Sequence, residues 1–176
     1  MEKRTCCNHQ LPEGYVPEHH KDANAAYDHF LITSDTLSLD KACNLVRSDS
    51  AGAISTFEGT TRNTFNGQRV IRLEYDAYQP LAKTEWYKIV QEARAKYHIL
   101  GTSMHHRIGK VDVGQTSVII AVSSAHRADA ISAVHFLIDS LKVRLPIWKK
   151  ELLDDGTNSW KQNESIDLDA HQPISH

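Results

Sequence analysis

Between residues 29 and 152 the apolar side chains change spacing repeatedly, from strand-like runs to helical spacing and back. This interleaving limits the possible folds more than any other feature of the chain. Residues 29–33 read as a short strand. Leu39, Ala42, Cys43 and Val46 then recur at helical spacing, with Ser38 placed to cap a helix over 39–47. Residues 51–57 are rich in small and β-branched side chains and read as a strand. A loop over 59–67 follows, with Asn66-Gly67 as its turn signal. Residues 69–75 alternate and are expected to return as a hairpin against the preceding strand. Pro80 suits the first turn of a helix reaching Tyr97, since its missing N–H would be unpaired there anyway. Ala82, Trp86, Ile89, Val90, Ala93 and Tyr97 form that helix's apolar stripe. Two strands over 102–108 and 117–123 come next, with Gly109 ending the first and Gly114 turning the chain. A third helix over 127–143 is expected to bury Ile131, Val134, Ile138 and Leu141, and Pro146 ends it. An extended piece over 146–152 leads into an Asp154-Asp155-Gly156 turn.

Strands and hairpins mixed with three main helices imply an α+β sandwich with a largely antiparallel sheet. There is no strict βαβ rhythm and no glycine-rich phosphate loop, so Rossmann and P-loop folds are excluded. Residues 27–160 make one domain. Residues 1–26 and 161–176 hold too few apolar side chains to fold alone and are expected to be a flexible extension and a flexible tail.

Composition removes several function classes. The net charge of -2 lacks the basic excess of a nucleic-acid binder. No apolar run approaches the roughly 20 residues that cross a bilayer. Met1 to Gln10 is polar and lacks the apolar stretch of a signal peptide, and Glu2 and Glu13 argue against mitochondrial targeting. Three cysteines, Cys6, Cys7 and Cys43, make a poor disulfide framework and suit a reducing compartment, so the cytosol is expected. The histidines fall at spacings that suit no metal, and neither a metal site nor a cofactor is expected.

Four segments carry groups capable of chemistry. In Phe57-Glu58-Gly59-Thr60-Thr61-Arg62-Asn63, two hydroxyls and a guanidinium follow a glycine expected to permit a tight bend. Such a group can hold a phosphate or carboxylate, and it also fits an ordinary polar loop. In Ser123-Ser124-Ala125-His126-Arg127 a strand hands over to a helix. Free N–H groups there attract anions, and His126 and Arg127 add donors; alternatively Ser124 caps the helix and Arg127 is solvated. No GxSxG accompanies this Ser/His pair, so a serine nucleophile is disfavoured. In Lys142-Val143-Arg144-Leu145-Pro146-Ile147-Trp148-Lys149-Lys150-Glu151, a lysine near other cations can act as base or nucleophile. The competing reading is a solvated basic patch beside a buried Trp. His105-His106-Arg107 fits a satisfied interior or surface role better than a site.

Taken together and in this order, with Leu73-Glu74-Tyr75 and His106-Arg107-Ile108-Gly109 between them, these segments resemble the large, catalytic subunits of molybdopterin synthases. The resemblance spans residues 28–164. It implies an α/β hammerhead-type fold. It implies a sulfurtransferase that converts cyclic pyranopterin monophosphate (precursor Z) into molybdopterin by installing two dithiolene sulfurs. The sulfur arrives as a thiocarboxylate on the C-terminal glycine of a small ubiquitin-like partner, and two such partners flank a dimer of large subunits. The resemblance points to Lys142 and Lys149 as catalytic groups. It points to Thr60, Thr61, Arg62, His126, Arg127, Lys142, Lys149, Lys150 and Glu151 as binders of the small-molecule pterin. Lys149 is favoured for proton transfer because Trp148 is its neighbour. A non-catalytic scaffold that docks a ubiquitin-like tail or an anion is the alternative.

A helix makes one further argument. Arg127 and Lys142 are 15 residues apart along it, and at about 1.5 Å per residue their backbones lie roughly 22 Å apart. One small pterin cannot span that rod, so His126 and Arg127 of one copy are expected to join Arg62, Lys142 and Lys149 of another.

Overall fold

The computed structural model describes residues 27–65, 67–156 and 158–162, in which three helices and nine strands alternate. The first sheet holds β1 (Tyr27–Thr33), β5 (Gly101–Arg107), β7 (Thr116–Ser124) and β2 (Ala53–Thr60), in that spatial order. β1 and β5 run parallel, and the other neighbours antiparallel. The second sheet follows the order β3 (Thr64–Phe65), β4 (Gln68–Ala77), β8 (Ile147–Leu153), β9 (Asn158–Gln162), with β6 (Gly109–Asp112) also paired to β4. All of its pairs are antiparallel. With α1 (Leu39–Leu45), α2 (Gln79–Lys96) and α3 (Arg127–Arg144), this is the α+β arrangement with mostly antiparallel pairing that the sequence implies.

The first sheet is covered on both sides, and β7 shows why. Successive strand residues point to opposite faces. Val118, Ile120 and Val122 join Met104, Trp86, Ile89, Leu137 and Leu141 beneath α2 and α3. Ile119 and Ala121 pack instead with Ala42 of α1 and with Val46, which caps that helix. Burying each such large aliphatic side chain contributes about 1.5–3 kcal/mol, so this double-sided strand anchors the fold.

Local signals set the helices. Ser38 is extended, and its Oγ accepts the Lys41 N–H at 3.3 Å, as an N-cap does. In α2, Pro80 sits in the first turn, and Ala82, Trp86, Ile89, Val90 and Ala93 are all buried. In α3 the expected face is partly wrong. Ala130, Ala133, Val134, Leu137, Ile138 and Leu141 face the core, while Ile131 is 58% exposed. The small alanines, not the large isoleucine, let this helix approach the sheet.

The expected hairpin between residues 51–57 and 69–75 does not form. β2 pairs with β7, and β4 pairs with β3, β6 and β8. A register shift between Gly59 and Thr60 takes the chain out of the first sheet. The backbone of Thr61 is then held by Gln115 and Gly114, and the two-residue β3 forms the tight hairpin with β4 instead. Gly67 turns that hairpin with φ 79°, a left-handed value that glycine adopts at low cost; Asn66 lies outside the described residues. β6 occupies part of the stretch between 109 and 114 where only a turn was expected. β9 continues the second sheet to Gln162, past residue 160. Residues 1–26 and 163–176 lie outside the described part. Among the described residues no helix is long and apolar enough to cross a membrane.

Candidate active site

Lys142, in the last turn of α3, and Lys149, on β8 just beyond it, reach two flanks of one segment. Lys142, in the last turn of α3, sets its Nζ 5.8 Å from the centre of the Phe57 ring on β2. Lys149, on β8, sets its Nζ 5.8 Å from the centre of the Phe65 ring on β3. Phe57 and Phe65 bracket the loop that carries Thr60, Thr61 and Arg62. An ammonium near a ring face gains electrostatic attraction without losing its N–H donors. The two lysines therefore face the start and end of the expected anion-holding loop.

Gly59 serves this loop by close approach rather than by unusual backbone angles. A Cβ there would stand 2.7 Å from Val118 Cγ1 and 3.2 Å from the Phe57 ring. The missing side chain lets Phe57 lie against β7, where Lys142 finds it. Thr61 is buried, and its Oγ1 has no partner within the described residues. Thr60 and Arg62 are exposed.

Strand alternation separates the three charged residues of β8. Opposite residues on paired strands share a face. Lys149 lies opposite Tyr75, and Glu151 opposite Leu73. Lys150 lies opposite Glu74, on the other face, where Arg72 also bonds Glu74 at 3.0 Å. Lys149 therefore points away from its chain neighbour Trp148, contrary to the expectation that Trp148 forms its surroundings. Its close charged neighbour is Glu151, at 3.4 Å and almost completely buried.

Beside Lys149, on the neighbouring strand, lies a partly buried polar group to which the sequence reading gave no role, the phenol of Tyr75. Burial, the largest cause, holds the Tyr75 hydroxyl pKa above its ordinary value of 10; a hydrogen bond with Ser117 opposes this and Glu151 adds to it. Ser117 Oγ in turn donates to the Gly59 carbonyl at 3.2 Å. The His106 ring meets Tyr75 edge-on at 5.1 Å. Desolvation pushes the His106 pKa down to about 4, although its Nδ1 bonds the Arg107 carbonyl at 2.8 Å. This imidazole is neutral at neutral pH and supports Tyr75 as an aromatic wall. Alternation along 69–75 places Tyr75 on the inner face; its partner strand, 74 residues on, was invisible.

His126 and Arg127 lie at the far end of α3, exposed. His126 takes the N-cap position without a side-chain bond to the helix. Ser124, which the alternative reading had capping the helix, donates to the His98 carbonyl at 2.7 Å and accepts the His126 N–H at 3.3 Å. The helix is unbroken from Arg127 to Arg144, so about 22 Å of rise separates Arg127 from Lys142. One chain does not bring these two groups together. Among the described residues no three His, Cys, Asp or Glu side chains group as metal ligands.

The geometry can be set beside known proteins. The model of the MoaE protein family matches residues 32–144. The molybdopterin synthase catalytic subunit of Bos taurus is 51% identical over 133 residues, spanning 76% of this chain and 70% of that one. The crystal structure of molybdopterin synthase from Staphylococcus aureus superposes with a TM-score of 0.71 at 34% identity, covering 75% of this chain and 96% of that chain. A Helicobacter pylori structure, described as a complex of subunits 1 and 2 of molybdopterin-converting factor, shares the fold with a TM-score of 0.59 at 23% identity, over 85% of this chain and 100% of that one.

Proposed function

The chain belongs to the MoaE protein family, and on that footing we propose that it is the catalytic subunit of a molybdopterin synthase. It is a sulfurtransferase of molybdenum cofactor biosynthesis, acting on cyclic pyranopterin monophosphate. The sulfur donor is the thiocarboxylate at the C-terminal glycine of a small ubiquitin-like partner, and a described complex of two subunits in a protein of the same fold supports that pairing. The assembly is a dimer of this chain with one small partner at each end. Its place of work is the cytosol.

The observation that carries the reading is the placing of Lys142 and Lys149 over Phe57 and Phe65, on either side of the Arg62 loop. Thiocarboxylate chemistry needs a group that moves protons and another that holds a developing oxyanion. Lys149 serves the first and Lys142 the second. Arg62 and Thr61 of the same copy, with His126 and Arg127 of the second copy, receive the phosphate and pterin; Thr60, Lys150 and Glu151 complete the binding set. An extended partner tail is narrow enough to lie between the two lysines and can be held through its backbone.

The experiment mixes the purified chain, the thiocarboxylated partner and the cyclic pterin, and follows dithiolene formation. Arg127→Ala and Lys149→Ala are each expected to be inactive alone and to regain turnover when mixed, because mixed dimers restore one intact pocket. Absence of product from the unaltered chain refutes the activity. Absence of recovery after demonstrated subunit exchange refutes the shared pocket.

A further inference from the structure

We propose that Arg144 is a positioning residue that sets the separation of Lys142 and Lys149; the proposal rests on the functional reading above. Arg144 is the last residue of α3, two residues beyond Lys142 and five before Lys149. Its guanidinium does not face solvent alone, as a plain basic patch would. Nε and Nη2 donate to Glu85 Oε1 at 3.0 and 2.5 Å, and Nη1 donates to both carboxylate oxygens of Glu92 at 2.9 and 2.8 Å. Both acids stand on α2, so one planar fork ties the end of α3 to two turns of its neighbour.

The chain beyond Arg144 is held by the same helix. The Pro146 carbonyl accepts the N–H of Tyr78, the residue that precedes α2. Leu145 and Ile147 are buried on either side of that proline. The connector between the two lysines is therefore attached to α2 at both its ends, by Arg144 and by Pro146. Cutting the ion-pair end leaves the last turn of α3 tied to α2 only by packing and by the Tyr78–Pro146 hydrogen bond just beyond it. Lys142 then loses its fixed height over Phe57, while Lys149 stays paired into β8. Misplacing a reacting group by about 1 Å can cost about 100-fold in rate, so a clamp outside the pocket bears directly on turnover.

The test uses the full chain with its thiocarboxylated partner. Arg144→Met is expected to lower kcat about 10-fold while KM for the pterin stays within about twofold, the signature of displaced catalytic groups rather than lost binding. Arg144→Lys is expected to recover only part of the loss, because an ammonium cannot bridge two carboxylates as a planar fork does. Glu85→Gln with Glu92→Gln should reproduce the defect, and adding Arg144→Met to that pair should make it no worse. A second readout needs no turnover: acylation of Lys142 and Lys149 by a small amine-reactive ester, mapped by mass spectrometry, should change its ratio severalfold in Arg144→Met. An Arg144→Met protein that is folded, with kcat within twofold and an unchanged labelling ratio, overturns the proposal, as does a kcat loss that only tracks the unfolded fraction. If the unaltered chain makes no product, the functional reading falls, and the labelling ratio alone decides whether Arg144 sets the lysines.

Discussion

In the four-stranded sheet, β5 and β7 bury almost every side chain on both faces, whereas β4 and β8 of the five-stranded sheet keep most of theirs half-buried and many of them charged. The difference follows from what each sheet must hold. A site closed on both faces tolerates only groups that are neutral or fully paired, and the two histidines of β5, His105 and His106, have pKa values pressed down to about 4 by desolvation. The second sheet leaves both faces only partly buried and so can carry Arg72, Glu74 and Lys150 on one face and Lys149 on the other. The candidate site lies along the seam, where Phe57 of one sheet and Phe65 of the other each receive a lysine. Rigid packing supplies the floor, and the exposed sheet supplies the charges.

Substitutions can break this division of labour. The largest effect is expected from Ile120→Ala in the closed sheet, where the side chain is fully buried; it should cost roughly 2–5 kcal/mol in urea unfolding while turnover per folded molecule is kept. A selective loss of turnover with normal stability would show that the floor and the charges are not separable. Next, Lys149→Ala on the open sheet should lower turnover by about 100-fold with the unfolding midpoint almost unmoved. Near-normal turnover with normal partner binding removes Lys149 from the chemistry.

Acid should attack the closed sheet. Unfolded histidines take up protons near 6.5, but His105, near His29 and Lys41, and His106, bonded to the Arg107 carbonyl, do so only at about 4. The unfolded state therefore binds more protons between those values, and stability present above 6.5 drains away as the pH falls toward 4. Each ring contributes at most about 1.4 kcal/mol per pH unit in that window. Urea midpoints measured across the window should fall less steeply for His106→Gln; an equal slope would mean His106 is not among the groups responsible. The smallest effect is expected at Ser38→Ala, about 1 kcal/mol from the lost cap of α1. Hydrogen exchange should rise in residues 39–45 and stay constant in β8, and a uniform rise would mean α1 does not open by itself.

Local features of the chain proved legible. Ser38 and its following stripe mark α1, and Pro80 with five buried positions marks α2, because both signals act within a few residues. The pairing of β4 with β8 was not legible, because it joins residues 70 or more apart, and a hairpin with the nearer strand satisfies the same alternation. β6 is too short to show a period. In the site, the residue types of the Arg62 loop and of the two lysines carried the chemistry. Glu151, rather than Trp148, as the companion of Lys149 was within reach, because residues 146–152 read as extended and alternation sets Lys149 and Glu151 on one face and Trp148 on the other. Arg144 looked like one more surface cation because its partners lie on another helix.

The parallel pairing of β1 with β5 has a consequence for how the molecule is made. Tyr27 aligns with Gly101 and Thr33 with Arg107, and Asp28 is fastened both to Arg94 at 2.7 Å and to Thr102 at 2.8 Å. Every one of these partners is synthesised at least sixty residues later. At about 5–20 residues per second, the first strand waits several seconds on the ribosome with its backbone donors turned to water. It joins the sheet only after β5 has emerged, and closing so long a loop is a slow, non-local step. The first described strand to be made thus stays unpaired until the fifth is complete.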